Sequence, residues 1–143
     1  MEIESLRRQH DAAEAMGAEI IAIARSYRDD HDAVPLAQLI GKLNALLRVH
    51  FAYEDSILYP LMIHCSDSTA AATAAEFEAE MGELAAEFEE FARRWSTPLA
   101  IAGDFECFRE QATALLAALG GRIERENDLL YPLAQRATDA RAA

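Results

Sequence analysis

Cysteine occurs only twice in this 143-residue chain, at Cys65 and Cys107, proline four times and glycine six times. Two cysteines are too few for a disulfide framework and are expected to stay as thiols. So few helix breakers, beside abundant alanine, leucine and glutamate, favour helices. Long apolar runs are missing as well: none approaches the ~20 residues that a membrane span needs. The opening stretch MEIESLRRQHD is charged and lacks the apolar core of a signal peptide, which points to the cytoplasm. Positive charge is also scarce. Thirteen Lys and Arg stand against 25 Asp and Glu, a formal net charge of −12. Phosphate binding needs a basic surface, so this balance argues against nucleic acid and against anionic membranes as partners. No glycine-rich phosphate loop and no Cys-x-x-Cys pair occur, and four histidines are too few to argue a Ser–His–Asp arrangement.

Apolar residues make up 52% of the chain, enough to fill a core, and the length suits one domain over residues 1–143. Apolar positions recur in steps of three and four, which predicts four helices. The first covers about residues 2–27, with Ile3, Leu6, His10, Ala13, Gly17, Ile20, Ala24 and Tyr27 on its seam. The acidic break RDDHDAVP leads to the second, about 35–63, because Pro35 suits a first helical turn. Its inner positions read Leu36, Leu39, Leu43, Leu46, His50, Glu54, Ile57 and Leu61, and Pro60 is expected to kink or loosen its last turns. Ser66, Asp67 and Ser68 are candidate N-caps for the third, about 69–95, whose seam is Phe77, Met81, Leu84, Phe88, Phe91 and Trp95. STPLAIAGD reads as a break before the fourth, about 104–136. That helix places Phe105, Phe108, Ala112, Leu115, Leu119, Arg122, Glu126, Leu129 and Leu133 inside, and the closing TDARAA is left without an element. Four helices with short connections predict an all-α, up-down-up-down bundle.

Five polar residues interrupt these apolar seams: His10, His50, Glu54, Arg122 and Glu126. A buried charge must be paired, hydrogen-bonded or bound to a metal. Four of the five come from two stretches that echo each other, HFAYEDSILYP at 50–60 and RIERENDLLYP at 122–132. Each places a Glu four residues after its first position and ends in Leu-Tyr-Pro, but one opens with histidine and the other with arginine. Residues four apart share a helix face, so the imidazole of His50 and the carboxylate of Glu54 can grip one ion, and bundle cores are a usual place for such sites.

The doubled frame resembles the hemerythrin-like, or HHE cation-binding, domains, and the resemblance covers roughly Ile3 to Leu133. It implies an up-and-down four-helix bundle made of two helix pairs. It also implies His10 as the first-helix ligand, His50 and Glu54 as the second-helix pair, and Glu126 as the fourth-helix carboxylate, which bridges metals in that family. Where the family has further histidines, this chain has Arg122 on the fourth helix, Met81 on the third and Phe77 one turn before it. A full di-iron site in that family takes about five histidines and two carboxylates, so the second half of the site has lost its nitrogen ligands.

Three functions follow as expectations. In the first, His10, His50, Glu54 and Glu126 hold one ion, iron first and zinc as the alternative, to sense or handle metal, oxygen, peroxide or nitric oxide. In the second, no metal binds. Arg122, always protonated and shaped to fork onto carboxylates, faces Glu126 and Glu54 in place of an ion, and the bundle is a regulatory or interaction module, a homodimer included. The competing reading of Arg122 is a side chain that snorkels out to water. In the third, haem or another cofactor sits between Met81 and a histidine. Enzyme activity is left open. Glu14 and Glu80 are replacement carboxylates if they turn inward and solvated flank residues otherwise. Tyr53, Tyr59 and Tyr131 are expected to cap the bundle with their hydroxyls toward water. His31 and His64 are expected outside the site, His64 because fourteen residues span ~21 Å of helix.

Overall fold

The computed structural model describes residues 1–142 as an all-α up-and-down bundle, with no strand among them. Helix α1 (Ile3–Arg25) is followed by a 3₁₀ turn, Asp30–Asp32, and by α2 (Ala33–Tyr53). After a wide turn, Glu54–Leu58, the same rod continues as α3 (Tyr59–Ile63). Helix α4 (Ser68–Arg94) descends, the short α5 (Pro98–Gly103) crosses over, and α6 (Phe105–Arg125) ascends into a second wide turn, Glu126–Leu130, and α7 (Tyr131–Ala142). Helix α1 packs on α2 and α6, and α4 packs on the same two. No helix is long and apolar enough to cross a membrane.

Local chemistry sets the ends. Asp67 is the cap of α4, its Oδ1 accepting from Thr69 N at 2.9 Å and Ala70 N at 3.2 Å. Thr97 caps α5, with Pro98 behind it, so the predicted break STPLAIAGD contains a helix of its own. Asp104 caps α6 through Cys107 N. Two further boundaries differ from expectation. The second rod starts at Ala33, with Pro35 inside its first turn, and the last helix runs on through the TDARA stretch to Ala142.

The two wide turns have one cause. Pro60 and Pro132 lack an N–H, and in a regular helix their rings would strike the carbonyls of Ser56 and Asp128, four residues back. One extra residue in the turn relieves this: Tyr59 N–H reaches the carbonyl of Glu54 and Tyr131 N–H that of Glu126, each five residues back. The extra residue advances the buried register by one. Leu58, Met62 and Leu130 are therefore core, while Ile57 (45% exposed) and Leu129 (47%) face solvent and Leu61 is half-buried, contrary to the extrapolated seams. Leu46 is also half-buried, and Leu47 takes its place in the core.

Two apolar clusters result. One holds Ile3, Leu6, Leu58, Met62, Ala74, Phe77 and Leu130, and the other holds Ala13, Leu47, Phe51, Met81, Phe88, Leu119 and Ile123. On all four rods the change from one cluster to the other falls at the same level. That level contains His10, His50, Glu54, Arg122 and Glu126.

Candidate metal centre

Those five are the buried polar and charged residues of the described chain, and each had been marked by its place on an apolar seam. His10 comes from α1, His50 from the last turn of α2, and Glu54 and Glu126 each open a wide turn. His10 Nε2 lies 3.1 Å from His50 Nε2 and 2.8 Å from Glu126 Oε1. His50 Nε2 lies 3.6 Å from Glu126 Oε1 and 3.4 Å from Glu54 Oε2. His10, His50 and Glu126 thus each bring one donor atom within 4.8 Å of the others, the spacing of a metal-binding group. Glu54 adjoins them through His50.

The outer faces of both imidazoles are fixed. Asn127 Oδ1 sits 2.8 Å from His10 Nδ1, and Gln9 Oε1 sits 2.7 Å from His50 Nδ1. An amide oxygen only accepts, so each ring proton is assigned to Nδ1 and both Nε2 lone pairs point at each other. Two carboxylate oxygens join them. The one hydroxyl proton in their midst is that of Tyr131, which donates to Glu54 Oε2 at 2.9 Å. Glu54 Oε1 has no hydrogen-bond partner among the described residues. A wholly buried carboxylate oxygen without a partner is costly. So many convergent acceptors call for added positive charge, and a metal ion or a second proton on an imidazole supplies it. The residues present therefore fit a cation.

Arg122 fills the other half of the level. Its Nε donates to Glu126 Oε2 at 2.6 Å, and its Nη2 donates to Tyr59 Oη at 2.7 Å and to the Phe77 carbonyl at 2.8 Å. Its guanidinium carbon lies 4.4 Å from the Phe77 ring centre, a cation–π contact. Its Nη1 reaches Glu80 Oε2 at 3.4 Å, and Arg125 also holds that carboxylate, at 2.7 Å. The head is buried among partners and does not snorkel to water. Glu126 divides its two oxygens between the histidine half and the arginine half. The expected contact of Arg122 with Glu54 is not made: its donors go to Glu126, Glu80, Tyr59 and the Phe77 carbonyl.

The charges pull the titrations apart. Burial alone would lower His50, but hydrogen bonds and charge from Glu126 and Glu54 outweigh it and push its pKa up to about 9. Burial also raises Glu126, but His10, His50 and Arg122 together bring it well below the usual carboxylate range. Glu54, buried and facing the charge of Glu126, is raised despite His50. Burial next to two carboxylates raises Tyr131, and burial beside Glu54 raises Tyr59 in spite of Arg122.

Tyr59 and Tyr131 are fully buried with their hydroxyls in the site, which corrects the expectation that they face water. The wide turns account for this, since a residue five past Glu54 or Glu126 points elsewhere on a regular helix. Tyr53 is half-buried, and its hydroxyl accepts from Glu2 N. Gln9 and Asn127, which orient the histidines, were not singled out in the sequence. Their one signal is that each immediately adjoins a seam residue, His10 or Glu126. Glu14 is exposed, and Glu80 turns inward only as far as Arg122. Met81 is buried in the apolar cluster with Ala13 and Phe88. His31 and His64 are exposed and are not part of the buried donor group.

The architecture and the buried cluster of imidazoles and carboxylates define a helical-bundle protein with a cation-binding type of site. The chain matches the hemerythrin HHE cation binding domain over residues 1–134, and it belongs to that family. Neither the curated proteins nor the solved structures compared with it gave a match.

Proposed function

We propose that this chain holds one metal ion, iron in the first place, through Nε2 of His10 and His50 and the carboxylates of Glu54 and Glu126. The ion serves to sense or handle iron or a small diatomic ligand such as oxygen or nitric oxide, in the cytoplasm. The observation that carries this reading is the buried group of His10, His50 and Glu126, whose donor atoms lie within 4.8 Å of one another, with the carboxylate of Glu54 beside His50 and its Oε1 without a partner among the described residues. Two nitrogens and carboxylate oxygens suit ferrous ion and also zinc. The bound ion would supply Lewis acidity and, if iron, one-electron chemistry. The chain's residues hold the imidazoles by their Nδ1 protons and keep water away with an apolar cluster on either side.

A second reading has its own observation. Arg122 is bonded to Glu126, Tyr59 and Phe77 as a resident cation would be. On that reading the bundle needs no ion and acts through its surface.

Elemental analysis of protein purified without chelator or affinity metal separates the two. The metal reading expects near-stoichiometric metal and a melting temperature raised by Fe(II) or Zn(II), with both lost in His50→Ala. A metal-free protein with an unchanged melting temperature supports the second reading.

A further inference from the structure

The hydroxyl of Tyr131 stands in an unusual position. It is 2.9 Å from Glu54 Oε2, 3.1 Å from Glu126 Oε1, 3.1 Å from His10 Nε2 and 3.2 Å from His50 Nε2. One hydroxyl proton can serve only one of these four acceptors. Even with the oxygen accepting from a protonated His50, hydrogen bonding accounts for two of the four contacts and leaves those with His10 Nε2 and Glu126 Oε1 unexplained. Coordination spacing accounts for all four. Donors about 2.1 Å from one ion and at right angles to each other lie about 3 Å apart. The His10–His50 and His10–Glu126 separations, 3.1 and 2.8 Å, have that size, and so do all four distances from Tyr131. An oxygen in the ion's own place, kept at hydrogen-bond distance of about 3 Å from each donor, would instead hold neighbouring donors about 4 Å apart. The spacing is that of a fifth donor.

The arginine half offers an independent comparison inside the same molecule. Tyr59 follows His50 by nine residues, and Tyr131 follows Arg122 by nine. Both sit just past a wide turn, and each crosses to the opening residue of the other stretch. Tyr59 Oη meets Arg122 Nη2 at 2.7 Å and accepts from that cation. Tyr131 Oη meets His50 Nε2 at 3.2 Å, in the half that has no permanently charged side chain. What Tyr59 does for the guanidinium, Tyr131 is placed to do for an ion.

From this geometry we infer that Tyr131 is a direct metal ligand, its phenolate oxygen completing a two-nitrogen, three-oxygen set with His10, His50, Glu54 and Glu126. The inference rests on the metal-binding reading above. On binding, the Tyr131 proton now shared with Glu54 leaves to solvent, and the oxygen lone pair goes to the ion. A bound cation reverses the pressure that burial puts on the hydroxyl. Three anionic oxygens favour a hard trivalent ion, so the site is built to hold iron in its ferric state. Nothing in the doubled motif marks Tyr131 above Tyr59. The asymmetry comes from Arg122.

The test uses the full chain, stripped with a chelator, loaded with one equivalent of Fe(II) and oxidised in air. Phenolate bound to Fe(III) gives an intense visible charge-transfer band and resonance-enhanced ring vibrations, whereas histidine and carboxylate ligands alone do not. The expected result is a coloured protein whose band disappears in Tyr131→Phe, with iron still bound, and persists in Tyr59→Phe. Should Tyr131→Phe fail to fold, ring-deuterated tyrosine identifies the vibrations as phenolate, and their persistence in Tyr27→Phe, Tyr53→Phe and Tyr59→Phe assigns them to Tyr131. Iron bound at one equivalent without a visible band overturns this inference and leaves the metal site standing. A band that survives in Tyr131→Phe overturns it equally. No iron uptake overturns this inference together with the iron-binding reading it rests on.

Discussion

Arg122 Nε lies 2.6 Å from Glu126 Oε2, one turn further on, while the other oxygen of that carboxylate lies 2.8 Å from His10 Nε2. One buried glutamate thus ties a permanent organic cation to a cluster of metal-type donors. The two halves of the repeat are thereby coupled. Any change at Arg122 reaches the histidines through Glu126, and any cation at the histidines is felt by Arg122.

Removing the guanidinium should be severe. Arg122→Ala would strand Glu126 Oε2 and Tyr59 Oη in the core and leave space between Phe77 and the polar level. Breaking a buried, hydrogen-bonded pair by deleting one partner costs about 3–5 kcal/mol. Arg122→Lys should recover less than half of that, because a point charge cannot serve Glu126, Tyr59 and Phe77 with a planar fork. Urea unfolding of the three proteins checks this, and a loss below about 1 kcal/mol for Arg122→Ala would contradict the network described.

Glu54 should show the opposite sign. Its carboxylate is buried, its pKa is raised by burial, and Oε1 has no partner among the described residues. In metal-free protein Glu54→Gln removes a poorly compensated charge, and stability should stay level or rise by up to about 1 kcal/mol. The same change removes a ligand, so the rise in melting temperature on adding Fe(II) or Zn(II) should shrink strongly. Thermal scans with and without metal measure both at once. A marked loss of stability in the metal-free variant would show that the contacts of Glu54 with His50 and Tyr131 outweigh the cost of burying its charge.

How much of this could be read in the sequence depends on which residue is asked about. The five polar residues of the site were legible because a charge on an apolar seam breaks the pattern that packing imposes. The bundle was legible from the same periodicity. Tyr131 and Tyr59 were not. Extending a regular helix through Glu54 and Glu126 turns both hydroxyls away and puts Ile57 and Leu129 inside. Only the proline-driven extra residue in each turn reverses that, and its effect on register is visible only in three dimensions. Gln9 and Asn127 are neutral residues on helix flanks, of ordinary surface type, and their contacts with the imidazoles alone reveal them.

Those flank residues carry a prediction. Asn127 Oδ1 and Gln9 Oε1 accept from Nδ1 of His10 and His50 across 2.8 and 2.7 Å and so keep both Nε2 atoms turned inward for a cation. Losing such an outer partner lowers metal affinity by about 10–100-fold. Asn127→Ala and Gln9→Ala, each near the surface of the site, should fall in that range for Zn(II) by competition with a chromophoric chelator. Their unfolding midpoints should move little. An unchanged affinity in both variants would mean that neighbouring packing, rather than these amides, sets the rings.

The histidine pair should also make the metal-free fold sensitive to alkali. His50 is raised from 6.5 to about 9 by the two glutamates, in spite of burial. A raised imidazole stabilises the folded chain fully below its ordinary pKa, and that contribution is lost as pH rises through about 9. The shift caps the effect at about 3 kcal/mol. Urea midpoints of chelator-treated protein should therefore fall between neutral pH and mildly alkaline pH, before the tyrosines titrate. Metal affinity should run the other way over the same range. The ion must displace the His50 proton, so binding tightens as pH rises towards about 9 and releases a proton that isothermal titration in two buffers can count. A flat stability profile, or metal uptake without proton release, would mean that His50 is already neutral in the folded chain.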